Sequence, residues 1–531
     1  MNNNDSTQEE TEVGNGRSQV LRAAGLVGAA VLLSRILGLV REIVTRSWLG
    51  VSTLEATAYD IASRFPESIF IIIAGGAIGS AFIPTFAAYF ARDDEKGAWQ
   101  LFSAIINLLL IVVTVIAGIT AIFAPQFVTF FFAENISKEP LLLPLTVRLM
   151  RIMLVSAVIF GVSGVFMGAL NARQHFLLPA LAPSIYNIGI ILGALLITPT
   201  EMGLAWGTVG GALGHLLIQL PGLRQKRAKY TAVLSLRDSG VQQVLKLMAP
   251  RVLGLSFSEI NQFIILFLTG SMPLGSLPAL KTAFRLLIMP QGVLGQALGI
   301  AAFPTLAELA ARSAFTEMRQ IIADALRIVL FLGLPITVLF ATITRPIIVI
   351  LFERNLFQAD DTTLVVQALF FYAFALVALT ALEVVARAFY SLNDTLTPVL
   401  AGGVQILLMG ILSLWLSRSL FPSLGQHPLG GLALGYSLSN ILEVGVLLWL
   451  LKRRLGGING RSILDGFWRM AVASGVMWVG ITAVIQPLQS VWLQAIVGTL
   501  VGGMIYLVIS WLLGIQEFRQ FMAYGQRLIR R

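Results

Sequence analysis

Four charged residues stand within twelve positions of one apolar stretch: Arg35, Arg41, Glu42 and Arg46 in LSRILGLVREIVTRSWLG, residues 33–50. A charge near the centre of a bilayer costs about 2.5–3.5 kcal/mol on insertion scales. Such groups must therefore face a partner, a water-filled cavity or the membrane surface. A guanidinium grips phosphate oxygens bidentately and stays charged at any physiological pH, so several arginines with few acids suit a phosphate-bearing anion. Further charged groups follow at helical spacing: Arg64 and Glu67 around Pro66, Arg251 and Glu259, then Lys281 and Arg285 four apart on one face. From residue type and spacing, Ser34, Arg35, Arg41, Glu42, Arg64 and Arg285 are expected to line a wet cavity. Glu67, Arg251, Glu259 and Lys281 are the supporting candidates. The competing reading pairs each base with a nearby acid or lets it reach the membrane surface along its stem; it weighs most on Arg46, Arg64 and Lys281. Glu383 and Arg387, four apart, are expected to pair with each other, and Arg148 and Arg151 to pack at the inner leaflet.

The elements that must position these groups are membrane helices. Of 531 residues, 56% are hydrophobic and only 12% charged, against about 25% charged in a soluble domain. Apolar runs of about 20 residues recur along the chain, as membrane-spanning helices require. The weaker alternation of a membrane β-barrel is absent. The expected fold is an all-α polytopic membrane protein with fourteen transmembrane helices. It divides into a disordered cytoplasmic tail (1–20), a six-helix bundle (21–222), a basic cytoplasmic linker (223–240), a second six-helix bundle (241–451), and helices 13 and 14 with a basic tail (452–531).

Basic residues fix the expected orientation. Arg92 and Lys96, Arg173, Arg224, Lys226, Arg227 and Lys229, Arg312 and Arg319, and Lys452, Arg453 and Arg454 all fall in one set of alternate loops; the other set holds Lys138, Arg345, Arg354 and Arg418. That asymmetry puts both termini in the cytoplasm. It also accounts for the net charge of +10 without invoking nucleic acid.

The two bundles read as copies. GSAFIPTFAAYFAR from Gly79 and GIAAFPTLAELAAR from Gly299 share seven of fourteen positions at an offset of 220 residues; ALNARQHFLLPALA from Ala169 and AFYSLNDTLTPVLA from Ala388 echo each other at 219. An even number of spans per copy makes the repeat parallel, and such repeats hold their substrate at the interface near the midplane.

Enzyme chemistry finds little support. His175, His215 and His427 are scattered, cysteine is absent, and no nucleotide-binding phosphate loop is present. No cofactor or metal is expected.

At SRILGLVRE followed by SWLG, the sequence resembles the first-span signature of the MurJ/MviN family of lipid II flippases. RLLIMPQGVLGQALGIAAFPTLAELAAR from Arg285 and AFYSLNDTLTPV from Ala388 resemble that family's eighth span and its span ten to eleven turn. The family sits in a larger exporter superfamily with multidrug antiporters and polysaccharide flippases. The resemblance implies a substrate of undecaprenyl-pyrophosphate-linked peptidoglycan precursor, flipped across the bacterial cytoplasmic membrane by alternating access and driven by membrane potential or an ion. It matches the family's cavity residues to Ser34, Arg35, Arg41, Glu42 and Arg285. The chain departs from the family where Ala56 and Thr57 replace an acid at the start of span two, where Phe70 and Gly75 replace a later base and acid, and at Ile288. Arg64 and Glu67 are the positional candidates to substitute. The alternatives are a flippase for another polyprenyl-linked glycan and a cation-coupled multidrug antiporter, the latter expected to prefer isolated cavity acids over arginines.

Overall fold

A computed structural model of the chain describes residues 4–72, 78–520 and 522, with side chains from residue 25 onward except 257 and 258. Every regular element among the described residues is a helix, the only open-chain form that satisfies its own backbone in lipid. The chain forms two compact units, Met1–Glu259 and Ile260–Arg531.

The first unit holds α1 (Asn4–Leu49), α2 (Leu54–Ile72), α3 (Ile78–Ala91), α4 (Glu95–Ile122), α5 (Ala124–Lys138), α6 (Leu142–Ala172), α7 (Leu177–Leu196), α8 (Thr200–Leu217) and the short α9 (Leu220–Gln225). The backbone of α1 takes in most of the polar stretch read above as a tail; Gly75 lies outside the described residues. Helix α6 is the centre, packing on α2, α3, α4, α5 and α8. Stacked and edge-on rings of Phe82, Phe86, Trp99, Phe102 and Phe166 fill the space between α3, α4 and α6. Helices α7 and α8 meet backbone to backbone: a Cβ at Gly189 or Gly193 would overlap Gly211 or Gly207, the small-residue contact common between membrane helices.

The division between the units falls inside α10 (Ser239–Thr269), beyond the 223–240 loop. The reason is local. Val241, Val244 and Met248 are buried in the α3–α4–α6 core. The loop itself is tied to α4, where Ser103 Oγ accepts from Thr231 N at 3.1 Å and Asn107 Nδ2 donates to Val233 O at 2.9 Å.

The second unit holds α11 (Ser276–Ala311), α12 (Phe315–Thr342), α13 (Thr344–Phe352), α14 (Ala359–Ala373), α15 (Ala375–Ser391), α16 (Leu396–Trp415), a π turn (Leu416–Leu420) leading to α17 (Phe421–Ser423), α18 (Leu429–Leu455), α19 (Gly460–Ile485) and α20 (Val491–Leu512). Helices α19 and α20 pack on α12 through Phe331, Met470, Met477, Ile481 and Tyr506. Tyr506 Oη donates to Phe331 O at 2.8 Å. Arg327 of α12 is salt-bridged to Glu517 just past α20, and its Nη1 donates to Ser462 O at 2.9 Å.

Ten helices among the described residues are long and apolar enough to span a membrane, and the pair α14–α15, bent by 43°, makes an eleventh if it is one span. The other three expected spans (21–48, 58–90 and 202–222) fall on α1, on α2 with α3, and on the glycine-rich α8.

The internal echoes have matching geometry. Asp93, Gln174, Ser313 and Asn393 take left-handed φ values of 57°, 57°, 54° and 58° just after α3, α6, α11 and α15. The first and third are 220 residues apart and the second and fourth 219. The breaks after α4 and α12, at Phe123 and Ile343, are also 220 apart. Pro125 and Pro346 follow them, each lacking the N–H that would continue the helix.

Candidate functional site

The charged stretch of α1 splits into two roles. Arg35 is exposed and Ser34 and Arg41 are half-buried. Helix α7 steadies this face: Asn187 Nδ2 donates to Ser34 O at 3.2 Å, and the Arg41 guanidinium lies 5.9 Å from the centre of the Tyr186 ring, within cation–π range. Arg41 has no ion-pair partner among the described residues, so its donors are available to an anion.

One turn further on, the charges are locked together. Arg46 Nε donates to Glu42 Oε1 at 2.9 Å, and Arg46 Nη1 lies 2.8 Å from Asp60 Oδ2 on α2. Arg46, Glu42 and Asp60 are 1%, 4% and 2% exposed. Burial at that level is tolerable only because each charge is paired. Glu42, expected on the cavity wall, is therefore the inner member of a buried clamp joining α1 to α2. Asp60 is the residue that sequence reading passed over. Its signal was an acid four residues before Arg64 in a helix short of charges.

Arg64, also on α2, is salt-bridged to Glu259 of α10, with Glu67 Oε2 4.0 Å from its Nη1. Three of the expected residues thus come together, as an ion-paired group. Glu259 is buried; Glu67 is about one third exposed. Arg251, on the same helix α10, is exposed.

In the second unit Lys281 and Arg285 are half-buried, one turn apart on α11. Arg387 Nη2 is 3.3 Å from Glu383 Oε2, the pairing their spacing predicted. Arg148 and Arg151 do not lie with the basic turns at the inner-leaflet end. Arg151 Nε donates to Ala121 O at 3.0 Å, next to the last residue of α4, so both stand at the far end of the unit from Arg92, Lys96 and Arg173.

Three further comparisons bear on this arrangement. A family model described as lipid II flippase MurJ matches residues 46–506. A lipid II flippase MurJ from Burkholderia cenocepacia is 28% identical over 517 residues, covering 93% of this chain and 98% of the relative. A probable lipid II flippase MurJ from Buchnera aphidicola is 27% identical over 511 residues, with the same coverage. Among solved structures, a lipid II flippase MurJ in an inward closed conformation is similar in fold at a TM-score of 0.76 and 24% identity, over 94% of this chain and 99% of that one. An inward-facing multidrug resistance MATE family transporter is similar at 0.68 and 13%, over 82% and 98%.

Proposed function

The chain belongs to the MurJ family of lipid II flippases, and from that premise we propose that it carries lipid II, the lipid-linked peptidoglycan precursor, from the inner to the outer leaflet of the bacterial cytoplasmic membrane. It is a membrane transporter and not an enzyme. The observation that carries this reading is the family match over residues 46–506; the MATE transporters resemble the chain in fold alone, so the drug-antiporter alternative is not favoured.

The proposed mechanism is alternating access by two parallel six-span bundles, fourteen spans in all with both termini cytoplasmic. The paired left-handed turns and helix breaks at one offset support the repeat. Arg35, Arg41 and Arg285 receive the pyrophosphate, Ser34 lies beside Arg35, and Lys281 supports Arg285. The Arg46–Glu42–Asp60 clamp fixes the register of α1 against α2 and so sets the position of Arg41. Arg64, Glu67 and Glu259 tie α2 to α10, with Arg251 nearby on α10. The polyprenyl tail stays in lipid beside α19 and α20, which the twelve-span repeat does not need. Moving one elementary charge across the membrane is worth about 2.3 kcal/mol per 100 mV, enough to drive an anion outward.

The test is rescue of a cell depleted of its own lipid II flippase, with labelled lipid II read on the outer leaflet. Rescue with outward labelling supports the reading; expression in the membrane without either overturns it.

A further inference from the structure

Two arginines remain outside this scheme, and their surroundings form a site. Arg148 and Arg151, three apart on one face of α6, line a cavity of about 670 Å³ together with Pro125 of α5 and with Met202 and Trp206 of α8. Arg151 is pinned by its Nε donation to Ala121 O, which leaves its terminal N–H groups directed elsewhere. Neither arginine has an acidic partner among the described residues. Both are exposed.

The cavity opens toward lipid. Trp206, Leu213 and Leu217 are about half exposed along one face of α8, an apolar stripe with no use in water. A half-exposed tryptophan near a helix end is the usual marker of the headgroup level. This end of the unit lies opposite the basic turns, where cations are disfavoured by the charge asymmetry of the loops. Two unpaired arginines persist there only if an anion meets them. A groove of this volume takes a phosphate with its glycerol; a head bearing sugars and peptide needs more room.

We propose that the groove between α5, α6 and α8 binds the phosphate headgroup of an anionic glycerophospholipid, gripped by Arg148 and Arg151 with Trp206 against the glycerol. The site is separate from the transport reading: it needs only that the chain lies in a bilayer. Arginine suits the task because two planar forks can hold one phosphodiester from two sides.

The experiment is native mass spectrometry of the full-length protein in detergent, titrated with phosphatidylglycerol, phosphatidylcholine and undecaprenyl pyrophosphate. Wild type is compared with Arg148→Gln/Arg151→Gln and, as a variant that keeps the charge, Arg148→Lys/Arg151→Lys; thermal melting confirms that each folds. Wild type is expected to retain phosphatidylglycerol over phosphatidylcholine. The glutamine pair should lose that preference by about thirtyfold, each basic residue at an anionic surface being worth about fivefold, and the lysine pair should keep part of it. No preference in the wild type, or the same preference in the glutamine pair, overturns the assignment. So does retention of undecaprenyl pyrophosphate alone at these arginines, which would make the groove an exit site for the transported lipid.

Discussion

Arg46 and Asp60 approach to 2.8 Å between Nη1 and Oδ2, with each side chain only 1% exposed. Glu42 holds the same guanidinium from the other side, at 2.9 Å. A cation between two carboxylates, sealed from water, keeps its charge and fixes two helices at once. Removing one partner strands buried charge at a cost of about 3–5 kcal/mol. Asp60→Ala should therefore lower stability by that amount in thermal or denaturant unfolding of the purified protein. An unchanged midpoint would show that the clamp does not hold α1 to α2.

Arg64 and Glu259 link α2 to α10 across nearly two hundred residues of sequence. Arg64→Glu leaves acids at 64, 67 and 259 facing one another and should destabilise strongly; adding Glu259→Arg should restore part of the loss. Directly contacting residues typically couple by about 0.5–3 kcal/mol. A double-mutant cycle on unfolding reads the coupling, and additive effects would mean the pair is not formed in solution.

Asp394 caps the start of α16. Its carboxylate accepts from Thr397 N at 3.0 Å and Thr397 Oγ1 at 2.7 Å, and it is salt-bridged to Arg454. The Thr397 backbone N–H, then the Thr397 hydroxyl and Arg454, hold this carboxyl below its ordinary value. A depressed folded-state value means the contribution is complete above the unfolded carboxylate value, about 3.9, and is lost as pH falls through the lower folded value. Asp394→Ala should cost about 1 kcal/mol at neutral pH, and the gap between wild type and variant should close in acid. A gap independent of pH would rule out a charged cap.

Arg327 and Glu517 are each 7% exposed at the side chain and join α12 to the segment after α20. Glu517→Ala should loosen α19 and α20 before the rest of the unit. Hydrogen exchange would then rise first in Gly460–Ile485 and Val491–Leu512. If these two helices form the tail groove, transport should fall with it. Uniform exchange across the unit would show that the hydrophobic contacts of Met470, Met477 and Ile481 suffice.

The helical class, the loop charges and the echoes at 220 and 219 residues were legible because each rests on local composition or on chain position. Even the left-handed turns at Asp93 and Asn393 fall on residue types that tolerate positive φ. Pairings were legible only where partners share a helix turn, as for Glu383 and Arg387. The Arg46–Asp60 and Arg64–Glu259 contacts join different helices, and no spacing rule along one chain reveals them. Arg148 and Arg151 were misplaced for a related reason. Their height in the membrane follows from the direction in which α6 runs, from the far end of α4 toward the basic turns, and local sequence does not carry that direction.

The central claim is that arginine geometry, and not positive charge alone, receives the pyrophosphate. Arg41→Lys and Arg285→Lys keep the charge but lose the bidentate fork. Outer-leaflet labelling of lipid II in flippase-depleted cells, at matched membrane levels of each variant, tests this directly. The account predicts that either substitution lowers labelling about tenfold or more, the loss of one good charge-assisted contact. Full activity in both lysine variants would contradict it and leave the arginines a structural role.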